Sequence, residues 1–288
     1  MPRPSYVLKC SCTDTVGIVA AVTGFLAERG SLLTEMSHFV DDEAQKSFIR
    51  VEFEDDARDA GDVAGMAQGF KEKVAKRFAM RFSFFLSEQK LRVMVAVSRQ
   101  SHCLNALLHR WSDGHLPIDI SCVVSNHENQ RSLVEWYKLP FHYLPIETGK
   151  KPEQEARLLT LFEESGSELL VLARYMQILT PHACELLAGR AINIHHSFLP
   201  GFKGARPYHQ AFERGVKLIG ATAHYVTTAL DEGPIIEQGV ERVDHTMKPR
   251  DLERLGQDVE SSVLNRAIRW HAEHRVFNIG NRAIVLRH

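Results

Sequence analysis

The chain has 288 residues, which exceeds one typical hydrophobic core and is long enough for two domains. It is 44% hydrophobic and 25% charged, with a formal net charge of −1, so bulk attraction to nucleic acid or to an anionic membrane is not expected. Its apolar runs are strand-sized, its first residues lack a signal-peptide pattern, and its five scattered cysteines are typical of reduced thiols, so we expect a cytoplasmic globular protein.

The first 86 residues are predicted to form one small domain. Strands are predicted over 5–12, 32–40, 47–53 and 78–86, with helices over about 18–29 and 58–76. The first helix is indicated by apolar residues that recur on one face, namely Ile18, Val22, Phe25 and Leu26. The order β-α-β-β-α-β predicts a ferredoxin-like fold over residues 1–86.

A polar junction at 87–90 leads into a second pattern, in which strands and helices alternate. Continuous apolar runs such as Leu91–Val97 are typical of strands buried on both faces. This alternation predicts a second α/β domain over 91–288 with a doubly wound, mostly parallel, Rossmann-like sheet, whose ligands bind outside the carboxyl ends of the strands. Strands are predicted over 91–97, 118–124, 141–144, 169–172, 191–194 and 218–226, helices over about 103–111, 130–137, 153–164, 181–187 and 252–274, and a final hairpin around Gly280-Asn281.

Candidate catalytic side chains lie near the ends of two of these strands. Asn193 and His195 are two residues apart in a strand and therefore point to the same side, and Asp231 follows the next apolar run and its loop. An asparagine amide can donate to an oxyanion, a histidine can move a proton, and a carboxylate can orient that histidine. The set suits acyl transfer to an external amine or to water, although each residue alone also fits an ordinary structural role. A turn is predicted at Leu199-Pro200-Gly201.

Several motifs together resemble the 10-formyltetrahydrofolate-dependent formyltransferase family over about residues 90–286. They are Asn193-x-His195-x-Ser197-x-Leu199-Pro200, Phe202-Lys203-Gly204, His224-Tyr225-Val226 and Asp231-x-Gly233-x-Ile235-Ile236. The resemblance implies that Asn193, His195 and Asp231 are catalytic. It implies a folate substrate and neither a metal nor a separate cofactor.

The resemblance also implies a folate pocket. The segment 174–179 is similar to the family segment that walls the pterin ring, and its apolar residues suit a flat heteroaromatic ligand. The loop from Thr227 to Leu230 is expected to close the other side. The implied substrate-binding residues are Met176, Gln177, Ile178, Leu179, His224, Thr227 and Leu230.

Three features resemble the hydrolytic members of that family, which pass the formyl group to water. A domain precedes the catalytic one, the doublet His195-His196 continues into Ser197, and the turn 98–103 has no glycine, which argues against a phosphate-bearing acceptor there. The expected function is hydrolysis of 10-formyltetrahydrofolate to formate and tetrahydrofolate, which balances the one-carbon folate pool and supplies formate for purine biosynthesis. The alternatives are a formyltransferase with another amine acceptor and a non-catalytic folate or amino-acid sensor.

The first domain resembles an ACT domain. The resemblance is based on the motif Asp14-x-x-Gly17-Ile18 at the start of the first helix, with Gly30 at its end. The resemblance implies a small amino-acid effector at Asp14, Gly17 and Leu32, and pairing of copies into a homodimer or homotetramer. Because the enzyme would draw on the one-carbon pool, we expect the effector to be glycine or methionine. The alternative is a domain that only dimerises.

Overall fold

The computed structural model describes residues 3–55, 63–199 and 207–287, and the chain forms two compact units. One comprises Met1–Lys90 with Glu273–Phe277 and Val285–His288, and the other comprises Leu91–Ala272 with Asn278–Ile284. The structure therefore assigns two short C-terminal segments to the first unit, rather than to the second domain predicted over 91–288. Among the described residues, no helix is both long and apolar enough to cross a membrane.

The first unit has the predicted β-α-β-β-α-β order. Its antiparallel sheet has the strand order β2-β3-β1-β4, and the four apolar residues predicted on one face of the first helix are buried. The elements are β1 (Ser5–Thr13), α1 (Ile18–Glu28), β2 (Leu32–Asp41), β3 (Lys46–Glu54), α2 (Val63–Phe70), a π-helical turn (Lys71–Ala75), α3 (Lys76–Phe78) and β4 (Arg81–Leu86).

Two details of the first unit differ from the sequence-based expectation. The strand predicted from residue 78 begins at Arg81, because Phe78 still belongs to α3 and Ala79 turns the chain with a left-handed φ of 47°. The predicted start of the second helix at Arg58 lies outside the described residues.

Ion pairs join the C-terminal segment 273–277 to the first unit. Both terminal nitrogens of Arg275 donate to the Glu35 carboxylate, at 2.7 and 2.8 Å. Arg50 is 2% exposed and donates from Nε to the carbonyl oxygen of Glu273 at 3.0 Å. Residues 1–86 alone therefore lack a segment that hydrogen-bonds to their own unit.

The second unit is a mixed α/β fold around a mostly parallel, seven-stranded sheet. The strand order is β11-β10-β9-β8-β5-β6-β7, in which β5 to β9 are parallel and β10 pairs antiparallel with both β9 and β11. Its strands are β5 (Leu91–Val97), β6 (Ile118–Ser125), β7 (Phe141–Tyr143), β8 (Leu169–Leu172), β9 (Ala191–His195), β10 (Leu218–Tyr225) and β11 (Ile235–Arg242). The helices are α4 (His102–Ser112), α5 (Arg131–Trp136), α6 (Lys151–Glu164), α7 (Pro181–Leu186), α8 (Pro207–Glu213) and α9 (Pro249–Ala272), and the hairpin strands are β12 (Val276–Ile279) and β13 (Arg282–Val285).

The connections of β5 determine where ligands are expected. The chain leaves β5 for β6 on one side and later returns to β8 on the other side. The topological switch point therefore lies between the carboxyl ends of β5 and β8, which is where open α/β sheets usually bind ligands.

Candidate active site

The antiparallel pairing of β9 with β10 brings Asn193 beside His224. The two residues face each other in the register of the strands, and Asn193 Nδ2 lies 3.3 Å from His224 Nε2. His224 Nδ1 lies 2.9 Å from the Tyr225 carbonyl oxygen, so Nδ1 carries a proton and donates it. Nε2 of a neutral His224 then accepts from Asn193, whose second amide hydrogen remains available to a ligand.

His195 has one ring nitrogen held by the protein and one that has no protein partner. Its Nδ1 lies 3.3 Å from Asp231 Oδ2, and its Nε2 is buried without a hydrogen-bond partner among the described residues. The side chain is 7% exposed and lines a cleft at the end of β9. An oriented imidazole with a free nitrogen at a cleft is the geometry of a proton-transfer group.

Asp231 lies between the two histidines. Its second oxygen is 3.7 Å from His224 Nε2, which is beyond hydrogen-bond distance. The hydrogen bond from His195, with His224 as the next contributor, holds the pKa of Asp231 well below its usual range. Asp231 also has a φ of 57°, and such left-handed backbone in a residue other than glycine is concentrated at functional sites.

The lowered pKa of Asp231 predicts how stability depends on pH. Ionised Asp231 stabilises the fold above the ordinary aspartate pKa of about 3.9, and this stabilisation is lost as the pH falls through the lower pKa of the folded chain. The difference in unfolding free energy between the chain and its Asp231→Asn variant is expected to be largest near neutral pH and to shrink below about pH 4. Urea unfolding at neutral and acidic pH measures it, and a difference that grows on acidification would contradict the assignment.

The cleft has a volume of about 270 Å³ and is lined by all seven residues predicted to bind the substrate. Met176, Ile178 and Leu230 are 56%, 59% and 57% exposed, so their apolar surface is open to a flat ligand. Asn193, His195 and Asp231 line the same cleft. The cleft is also lined by Leu172 and Cys184, which belong to no motif of the sequence analysis.

The segment 175–180 is held on its inner side by hydrogen bonds. Gln154 Nε2 donates to the Tyr175 hydroxyl at 2.8 Å, and the Met176 N–H donates to Ser98 Oγ at 3.0 Å. The Thr180 N–H donates to Glu155 Oε1 at 2.8 Å, and the Thr180 hydroxyl donates to the other oxygen of the same carboxylate. Gln154 and Glu155 belong to no motif, so only the three-dimensional structure shows that they position this wall of the cleft.

A buried polar cluster adjoins the same cleft, and its acid is Glu260 on α9. Glu260 Oε2 lies 2.8 Å from His102 Nε2, and Glu260 Oε1 accepts from the Tyr208 hydroxyl at 2.6 Å. Arg174 Nε lies 3.4 Å from Glu260 Oε2 and donates to Gln100 Oε1 at 2.6 Å. We refer to Gln100, His102, Arg174, Tyr208 and Glu260 as the Glu260 cluster.

The Glu260 cluster and the adjacent Cys103 contain donor atoms that a metal could use, but the chemistry of these atoms fits hydrogen bonding better. Atoms of His102, Cys103 and Glu260 lie within 4.8 Å of one another. Burial raises the pKa of the Cys103 thiol, both Glu260 oxygens already have partners, and the Arg174 guanidinium would repel a cation.

His196 remains uncharged beside this cluster. Burial, followed by the nearby Arg174 and His195, lowers the pKa of His196 to about 4. The two adjacent histidines therefore have different environments, and His195 is the one that contacts a carboxylate.

Gly233 keeps the loop that carries Asp231 close to β10. A Cβ at this position would lie 1.8 Å from the Tyr225 carbonyl oxygen, which also accepts from His224. Gly233→Ala must therefore displace the loop, and we expect kcat/KM to fall by about tenfold or more because the catalytic geometry shifts. Steady-state kinetics measure the loss. Gly215→Ala, at a glycine with nothing within 4 Å of an added Cβ but a positive φ of 61°, should show backbone strain with nearly full activity. Equal losses in the two variants would contradict this explanation.

The three residues predicted to bind an effector lie in the first unit. Asp14 follows β1 and donates its N–H to the Gln45 carbonyl oxygen at 2.9 Å, and Gly17 precedes α1 with a φ of 93°. Leu32 begins β2 and is 54% exposed. β3 lies between β1 and β2 in the sheet, so Leu32 is not a strand neighbour of the segment that contains Asp14.

The sheet agrees with one class of protein, the formyl transferases. The site formed by Asn193, His195 and Asp231 agrees with the same class. Residues 91–268 match the family model described as Formyl transferase. The chain is 50% identical over 282 residues to formyltetrahydrofolate deformylase of Corynebacterium sp. strain P-1, and the match covers 98% of each chain. It is 46% identical over 279 residues to the formyltetrahydrofolate deformylase of Bacillus subtilis strain 168, and this match covers 96% of this chain and 92% of the relative. A crystal structure of formyltetrahydrofolate deformylase from Burkholderia mallei superimposes with a TM-score of 0.92 at 48% identity, covering 99% of this chain and 100% of that one. The chain belongs to the formyltetrahydrofolate deformylase family.

Proposed function

We propose that this enzyme hydrolyses 10-formyltetrahydrofolate to formate and tetrahydrofolate. The observation that carries the proposal is His195, which lines the apolar cleft, has Nδ1 bound to Asp231 and has an Nε2 without a hydrogen-bond partner in the part of the chain that the structure describes. The family membership supports the same substrate, since its relatives bear the name formyltetrahydrofolate deformylase.

The reaction is proposed to proceed by direct attack of water on the formyl carbon. The pterin ring packs against Met176 and Ile178, which places the formyl group near His195. His195 Nε2 takes a proton from the attacking water and then gives a proton to N10 as the C–N10 bond breaks. Asn193 donates its free amide hydrogen to the oxyanion of the tetrahedral intermediate, and one such donor typically contributes about 10²–10³-fold in rate. Asp231 orients His195 and stabilises its charged form.

We propose that the reaction requires no metal and no separate cofactor. Asn193, His195 and Asp231 together provide proton transfer and oxyanion stabilisation, which are the two chemical needs of formyl transfer to water.

One assay separates this function from its two alternatives. The purified full chain is incubated with 10-formyltetrahydrofolate without any amine. Release of formate and tetrahydrofolate in equal amounts supports hydrolysis, a strict need for an added amine supports a transferase, and binding without turnover supports a sensor.

For the cell, we propose that the reaction returns tetrahydrofolate to the one-carbon pool and supplies formate for purine biosynthesis. The two products themselves support this role. We also propose a cytoplasmic location, which agrees with five buried cysteines that form no disulfide.

We further propose that the first unit is an ACT domain that binds glycine or methionine and pairs with a second copy in a homodimer or homotetramer. The ferredoxin-like strand order, the positive φ of Gly17 and the exposed Val16 and Leu32 support the proposal. Calorimetry on the full chain tests effector binding, because residues 273–277 complete this unit.

We expect saturable binding that Gly17→Ala weakens, since a φ of 93° is strained for alanine. Gly24→Ala, with ordinary backbone and open space on the same helix, is the matched control and should bind normally. No heat from either amino acid would remove the proposal, and sedimentation velocity tests the oligomer.

A further inference from the structure

The crevice at the topological switch point is filled by side chains of the protein itself. The Ser98 N–H, directly after β5, donates to the carbonyl oxygen of Arg174, just beyond β8, at 3.3 Å. Beyond this bond lies the Glu260 cluster. In an open α/β sheet this crevice is the usual place for a ligand. Because protein side chains occupy it here, less space remains for a second ligand beside the cleft.

The Glu260 cluster is held too firmly to be displaced easily by a ligand. Glu260 is 1% exposed and Arg174 is 7% exposed, so both charges are shielded from solvent. Their contacts come from four elements, since His102 lies on α4, Tyr208 on α8 and Glu260 on α9, while Arg174 follows β8. Separating a buried charge from its partners is strongly unfavourable, so the crevice should stay closed during turnover.

Arg174 connects this cluster to the reaction site. It lines the cleft that also contains Asn193, His195 and Asp231. Its φ of 61° is a left-handed conformation that glycine would adopt at lower cost, so the backbone is strained at this position. Its Nη1 is buried without a hydrogen-bond partner among the described residues, and buried donors of this kind are usually satisfied by water or a ligand oxygen.

We propose that the Glu260 cluster closes the acceptor side of the cleft, and that Arg174 is the residue that admits water and excludes an organic amine. The inference rests on the proposed hydrolysis. In either reaction the C–N10 bond breaks, a bond forms from the formyl carbon to oxygen of water or to nitrogen of an amine, and His195 carries the proton of the attacking group to N10. The same three catalytic residues serve both reactions, so the product depends on which molecule reaches the formyl carbon.

The test measures how the formyl group is divided between water and an added amine. O-benzylhydroxylamine is a suitable probe, because it is bulky, nucleophilic and uncharged near neutral pH. The chain and its variants are incubated with 10-formyltetrahydrofolate and this probe, and the ratio of N-formyl product to formate is measured by mass spectrometry. This ratio does not depend on how much active enzyme each preparation contains.

Arg174→Gly should open the crevice and raise this ratio by about tenfold or more, the scale on which pocket size discriminates between substrates. Arg174→Met fills similar space without charge and should retain the preference for water. Lys138→Gly is the matched backbone control, because Lys138 is exposed and has nearly the same φ of 60°. It should behave like the unmodified chain.

Several results would overturn the proposal. They are a folded Arg174→Gly variant that still gives only formate, one that gives neither product, and an unmodified chain that formylates the probe as readily as its variants do. If Arg174→Gly does not fold, His102→Ala opens the same crevice from α4 and is judged by the same ratio. Failure of the proposed hydrolysis is distinguishable, since the unmodified chain would then release no formate when the probe is omitted.

Discussion

His195→Ala is expected to lower kcat for formate release by about 10²–10⁴-fold, the usual range for loss of a general acid–base group. The physical reason is that Nε2 of His195, a residue that lines the cleft, has no hydrogen-bond partner among the described residues, while Nδ1 is held by Asp231. No other described histidine beside the cleft has this arrangement, since His224 donates from Nδ1 to a carbonyl oxygen and the low pKa of His196 keeps it neutral. Steady-state release of formate measures the effect.

The control for this variant is the neighbouring histidine. His196→Ala removes the same chemical group one residue away and should change kcat far less, because the Asp231 carboxylate holds His195 and the low pKa of His196 makes it a weak base. Circular dichroism and thermal unfolding establish that both variants are folded. If the folded His195→Ala variant releases formate at a nearly normal rate, another residue carries the proton and the assignment is wrong.

Asn193→Ala is expected to lower kcat by about 10²–10³-fold with little change in KM, because an oxyanion donor acts mainly in the transition state. Asn193 is held by His224 at 3.3 Å and retains one amide hydrogen for the substrate. The measurement is the separate determination of kcat and KM.

Asn105→Ala, at an exposed position on α4, is the matched control for this second variant and should keep full activity. A loss confined to KM in Asn193→Ala would show that Asn193 binds the ground state, and would contradict its role as the oxyanion donor.

The parts of the site that sequence could predict are those that depend on local periodicity. The two-residue spacing of Asn193 and His195 places them on one side of β9, and both line the cleft. The helical spacing in α1 likewise predicts its buried face, which the structure confirms. In both cases the repeat of a single element determines which side chains share a face.

Two elements of the second unit form through contacts between segments that are distant in the sequence, so the local sequence pattern did not predict them. β11 was not predicted because its sequence, Ile235–Arg242, contains Gly239 and only three apolar side chains among eight residues, and it becomes a strand by pairing with β10. α8 was not predicted either, and its Tyr208 reaches Glu260 in α9.

The contacts of the turn at 98–103 that matter for function could not be predicted from the sequence either. Its lack of glycine argued against a phosphate-bearing acceptor, but the partner of His102 is Glu260, 158 residues further along the chain. Only the folded chain shows that this turn, Arg174 and the reaction cleft are connected through one buried carboxylate.

We expect Asn193, His195 and Asp231 to deliver the formyl group to water. The most direct test is to run the reaction with the purified chain in ¹⁸O-labelled water, without any amine, and to analyse the formate by mass spectrometry. We expect formate that carries one labelled oxygen, produced in equal amount with tetrahydrofolate. Formate release that requires an added amine, or formate without the label, would contradict the claim.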